Sequence, residues 1–225
     1  MGYRTASTSQ LISLIVLVAC NTSTDSNAQQ KSRDVALAGY QLLVHSAKQN
    51  DPGLVTVLNV TDTTEVKLND SIRVHYVWLD ELKNLKRETN VIMLSHFGNE
   101  LLYPVKSDGY IVAGVTVKED ANRWKFSGLA KIDFTSRADS LIRLQEDKGR
   151  RQPYLLKIPP LYLAFIANQT NDDIMLTCLV DNTSLNIKKN ERYKASVLFR
   201  VLNDKLLSNQ IKFLSPKGFV PRRKP

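Results

Sequence analysis

The chain is poor in the residues from which small secreted scaffolds and most metal centres are built. Only two of its 225 residues are cysteine, Cys20 and Cys178, too few for a disulfide framework. There are three histidines, His45, His75 and His96. None has a second His or a Cys at ligand spacing and no HExxH occurs, so no metal site is expected. Nine Gly and eight Pro exclude collagen-like repeats. No run of about 18 apolar residues occurs, which excludes a polytopic membrane protein. Also missing are the G-x-S-x-G elbow and the glycine-rich phosphate loops, so no cofactor is expected.

What is present fits an ordinary folded domain. Apolar residues make up 43% and charged residues 24%, close to globular averages and unlike a disordered chain. The length suits one domain or two small ones. The net charge of +9 is unevenly spread. Residues 21–147 hold 15 cations and 17 anions, whereas residues 148–225 hold 15 cations and 5 anions. The candidate contact for an anionic partner is therefore the set Lys148, Arg150, Arg151, Lys188, Lys189, Arg222, Arg223 and Lys224, with Arg192, Lys194 and Lys217 nearby.

The first twenty residues, MGYRTASTSQLISLIVLVAC, form a short polar start with one cation, Arg4, followed by an apolar run from Leu11 to Ala19. As a helix the run spans about 14 Å, less than half of a hydrocarbon core about 30 Å thick. It reads as a secretory leader, residues 1–19. Leu17-Val18-Ala19-Cys20 resembles the lipobox of bacterial lipoproteins. The resemblance implies cleavage before Cys20 and attachment of fatty acyl chains, palmitate among them, at that residue. Two or more chains anchor stably where one holds only marginally. Asn21, where an Asp often retains such proteins at the inner membrane, leans the expectation toward the outer membrane. Residues 20–31 carry no large apolar side chain and are expected to be a flexible tether. With Cys20 acylated, Cys178, set in the apolar run Ile174–Val180, is expected as a buried free thiol.

Residues 32–49 carry apolar side chains at three- and four-residue spacings, the pattern of a helix, which Asn50-Asp51-Pro52-Gly53 stops. Strands are expected at Leu54–Val60, Ile72–Trp78, Val91–Leu94, Leu101–Val105, Tyr110–Lys118 and Arg123–Asp133. Their connectors are expected at 97–100, 106–109 and 119–122. In the last of these strands, Arg123–Asp133, Trp124 and Phe126 share a side. A helix capped by Thr135 or Ser136 follows. Residues 148–153 form a basic loop dividing a first part, 32–147, from a second, 148–225, which is either the rest of one domain or a small subdomain. Further strands are expected at Tyr154–Ile158, Leu161–Ala167, Ile174–Val180 and Gln210–Leu214, with a helix capped by Asn190 before the last.

The expected class is therefore α+β, an antiparallel hairpin-rich sheet with three or four flanking helices. Its helix-then-meander order resembles cystatin-like folds. The acidic pairs Asp80-Glu81, Glu119-Asp120 and Asp172-Asp173 are expected to be solvated turns rather than a two-carboxylate centre. The expected function is a lipid-anchored envelope lipoprotein acting as a non-catalytic binding or structural module. Two alternatives stay open, a hydrolase of envelope polymers with an unfamiliar site and a peptidase-inhibitor-like module. Expected partners are the membrane, through Cys20, and anionic headgroups or envelope polymers; nucleic acid is not among them.

Overall fold

A computed structural model describes residues 9–50, 66–85, 96–146, 152–170 and 173–208, with side chains from Asn27 onward except Asn50, His96, Phe97 and Glu146. The fold is α+β. In chain order the elements are α1 (Ser9–Asn50), β1 (Lys67–Leu68), β2 (Ile72–Tyr76), α2 (Leu79–Lys83), β3 (His96–Ser107), β4 (Tyr110–Asp120), β5 (Arg123–Ala130) and α3 (Ile132–Glu146). They continue with β6 (Tyr154–Ile158), β7 (Leu163–Gln169), β8 (Ile174–Cys178), β9 (Arg192–Lys194) and α4 (Ala195–Leu207).

The strands form one sheet in the order β5-β4-β3-β2-β6-β7-β8-β9, with β1 paired to β3. Every pairing is antiparallel except β2 with β6, where Val74, His75 and Tyr76 run alongside Leu155, Leu156 and Lys157. Two four-stranded meanders thus meet back to back through one parallel pair, and each meander is followed by a helix. The hairpin turns need left-handed backbone, which Asp108 and Gly109 supply between β3 and β4 and Ala121 and Asn122 supply between β4 and β5.

Alternation along the strands decides which helix covers which face. On the front face, Ala36, Tyr40, Val44 and Ala47 of α1 pack on Leu101, Tyr103, Val105, Val115 and Val117. A Cβ at Gly39 would lie 2.3 Å from a ring carbon of Phe126, so α1 sits directly on β5 there. Farther along the same face, Leu198, Phe199, Leu202 and Leu206 of α4 pack with Leu82 of α2 on Leu156, Ile158, Phe165 and Leu176. The back face carries α3, whose Ala138 and Ile142 cover Ile72, Val74, Leu102, Leu155 and Ile166. Each such Leu, Ile or Phe contributes about 1.5–3 kcal/mol by leaving water.

Several local expectations are corrected. Residues 97–100 lie inside β3 instead of forming a connector, because Gly98 leaves room for the Tyr76 ring and Asn99 takes φ 48° in an irregular stretch of the ladder. Thr135 does not cap α3; the helix begins at Ile132, and Thr135 is buried within it, its hydroxyl donating to the Lys131 carbonyl at 2.9 Å. Asn190, with φ 73°, lies in a turn before β9, and α4 starts only at Ala195. On α4, Val197 and Val201 are exposed while Leu198, Leu202 and Leu206 are buried. At residues 27–31 the expected coil is part of α1, where Gln30 donates to Asp34 at 2.8 Å across one turn. The strands expected at Leu54–Val60, Val91–Leu94 and Gln210–Leu214 fall outside the described residues.

Candidate functional site

The front face carries a recess of about 500 Å³ beside α1, over the start of β2. The residues forming it come from seven places in the fold. Ala28, Gln29 and Ser32 of α1 make one wall, and Asp70 and Ser71 of the β1–β2 loop make another. Arg73 of β2 and Leu101 of β3 form the floor, with Glu119 of β4 and Trp124 of β5 beyond them and Gln152 at the entry to β6. Strand alternation puts these side chains on one face. Arg73 pairs with Leu101, Leu101 with Val117, and Glu119 with Trp124.

The wall and loop are held from several sides. Ser32 Oγ and Tyr103 Oη, both fully buried, share a hydrogen bond of 2.8 Å beneath the recess. Burial holds the Tyr103 phenol above its ordinary pKa. The Arg33 guanidinium donates to the Leu68 and Asn69 carbonyls, fixing the loop to α1. Asn69 donates from its backbone to Pro104 at 2.8 Å and from its side chain to Asp139 of α3 at 3.0 Å. Asp139, buried to 8% exposure, also receives Arg143 Nε at 2.9 Å. The loop carrying Asp70 is thus tied to α1, β3 and α3 at once.

The polar groups facing the void are left over from this bracing. Among the described residues, Asp70, Arg73, Glu119 and Gln152 make no hydrogen bond or ion pair through their side chains. One cation and two carboxylates therefore line the same space, with the Trp124 indole beside them. Such a recess can hold a small polar molecule that presents hydrogen-bonding or charged groups and one apolar surface.

A second polar cluster lies on the back face. Glu100, 9% exposed, accepts from Tyr76 Oη at 2.6 Å and from Lys157 Nζ at 2.9 Å. Burial, reinforced by the neighbouring carboxylate, raises the Tyr76 phenol far above its ordinary value. Tyr76 stacks on Trp78 at 5.6 Å between ring centroids, and Trp78 is half exposed. The carboxylate of Glu100 is satisfied on both oxygens, so this cluster reads as a brace.

Of the basic residues singled out above, Lys188 and Lys189 are exposed on the turn before β9, which carries Arg192 and Lys194. Their backbone N–H groups donate to Tyr193 Oη and Asp181 Oδ1. Lys148, Arg150, Arg151, Arg222, Arg223 and Lys224 lie outside the described residues, and so does the Cys20 side chain. Cys178 is a buried free thiol whose pKa is raised by burial. The Asp80-Glu81 pair sits at the start of α2, where Glu81 accepts from the Trp78 N–H, and Asp120 pairs with Lys125 at 2.8 Å. His45 is on α1 within 2.9 Å of Gln49, and the His75 ring lies tilted against that of Tyr154, 4.2 Å between centroids. Among the described residues no group of His, Cys, Asp and Glu is arranged for a metal ion, and no helix is long and apolar enough to cross a membrane.

The recess went unnoticed in the sequence because no motif joins its parts. Glu119 reads locally as a turn acid and Trp124 as core. The one usable signal was Arg73, a cation facing out from an otherwise apolar strand. No family model, curated protein or solved structure matches the chain.

Proposed function

We propose that the chain is a lipid-anchored lipoprotein of the bacterial cell envelope, more specifically of the outer membrane, whose domain binds a small polar ligand in the recess beside α1. The observation that carries the location is Leu17-Val18-Ala19-Cys20 at the end of a short leader. Acyl chains on Cys20 supply the attachment, each buried methylene adding about 0.8 kcal/mol. Gln29 of the recess wall is nine residues from Cys20. Even a fully extended chain of that length spans only about 30 Å, and a helix about 14 Å. The recess accordingly works within a domain's width of the membrane surface.

Binding without catalysis is the favoured mode. A catalytic carboxylate is normally oriented by a partner group, and in the recess Asp70 and Glu119 have none among the described residues. Fractionation of native cells tests the anchor. The wild-type chain is expected in the membrane fraction and in the detergent phase, and Cys20→Ser in the soluble fraction. A Cys20→Ser chain that stays with the membrane as fully as wild type would overturn the anchor.

A further inference from the structure

The charges lining the recess specify more than a polar ligand. We infer that the recess selects a small zwitterion, a molecule with an ammonium and a carboxylate or phosphate a few ångströms apart; this rests on reading the recess as the binding site. Arg73 presents a guanidinium, whose planar fork suits bidentate contact with an oxyanion. Asp70 and Glu119 present carboxylates suited to an ammonium, and the Trp124 face adds attraction for a cation or cover for an apolar substituent.

Register sets the scale of that ligand. Arg73 lies opposite Leu101, which lies opposite Val117, and Glu119 is two residues farther along the same strand. With strands about 4.8 Å apart and about 3.4 Å per residue, the Cβ atoms of Arg73 and Glu119 are about 12 Å apart. The two opposite charges share the void without pairing across it. A molecule placed between them with both signs can satisfy both groups, whereas a simple anion or cation leaves one of them without a counter-charge. The loop bracing by Arg33 and Asp139 holds Asp70 in place before the ligand arrives, which lowers the ordering cost of binding.

The chain has two tryptophans, and Trp124 is the one in the recess. In a full-length Trp78→Phe background, Trp124 fluorescence therefore reports binding locally. The probes are alanyl-alanine, its N-acetyl and C-amide forms, phosphoethanolamine, and a neutral disaccharide. Saturable binding of alanyl-alanine or phosphoethanolamine is expected, weakened at least tenfold when either end of the dipeptide is blocked or in Arg73→Ala. Asp70→Asn with Glu119→Gln should abolish the penalty for N-acetylation alone. The phosphoethanolamine arm decides between phosphate and carboxylate as the anionic group. If blocked and free dipeptides bind equally, or only the disaccharide binds, the zwitterion is overturned while the recess stands as a site. If no probe binds to a chain whose urea midpoint is unchanged, both readings fall.

Discussion

Glu100 shows how single side chains hold the centre of the sheet. Its carboxylate joins Tyr76 of β2 to Lys157 of β6 across the back face, spanning the region where the two meanders meet. The ring of Tyr76 lies so close to β3 that a Cβ at Gly98 would come within 2.2 Å of two ring carbons. Gly98→Ala is expected to cost about 1–3 kcal/mol through forced displacement of that ring. The same substitution in a Tyr76→Leu background should cost clearly less, and urea unfolding of the four chains checks this. Equal costs in the two backgrounds would mean that the ring is not the obstacle. The glycine was read as a turn signal in the sequence because a close approach from another strand leaves no local trace.

Three phenols, Tyr40 and Tyr103 buried and Tyr76 partly so, also give the chain a predictable response to alkali. Burial raises the pKa of each. The folded chain then keeps phenolic protons that the unfolded chain releases near pH 10. Their contribution to stability is complete below about pH 10 and declines as the pH rises beyond it. The urea midpoint should therefore fall steeply between about pH 10 and 11.5, and replacing Tyr76 with Phe should flatten that fall.

At the scale of elements, legibility followed solvent contact. β5 alternates exposed and half-buried residues along its whole length, and its period-two pattern, with Trp124 and Phe126 on one side, was readable as it stands. α1 was equally plain over residues 32–49 because one face is buried and the other wet. Helix starts were misread where tertiary partners replace local caps. Lys194, at the N-cap position of α4, makes no side-chain cap, and Asp173 at the start of the β8 region accepts from the Ser196 N–H and hydroxyl instead. Asp173→Ala should consequently destabilise the chain by about 1–2 kcal/mol, as the loss of an N-cap does, with the change read from urea unfolding. A cost within about 0.5 kcal/mol of zero, the range of ordinary surface substitutions, would show that the first turn of α4 does not depend on it.

The whole molecule contains the features that sequence order hides. Nothing in residues 72–76 or 154–158 announces that these strands pair side by side in parallel, yet that pairing unites the two halves in one sheet. The recess follows from the same geometry, since Asp70, Arg73, Glu119 and Trp124 converge only after the strands are laid in order. Charge belongs to this scale as well. The excess of cations in residues 148–225 should draw an unacylated Cys20→Ser chain to vesicles rich in phosphatidylglycerol at low salt, and salt should release it. Replacing Arg150, Arg151, Arg222 and Arg223 with Ser should weaken that association several-fold. If the unmutated chain ignores such vesicles, the cations serve solubility alone.

The proposed membrane anchoring rests on one sulfur atom, and intact mass of the chain purified from its native cells reads the chemistry there directly. An anchored chain begins at Cys20 and carries the mass of a diacylglyceryl group, with or without a third acyl chain. A chain that retains residues 1–19, or one that begins elsewhere with Cys20 unmodified or removed, would contradict the anchoring.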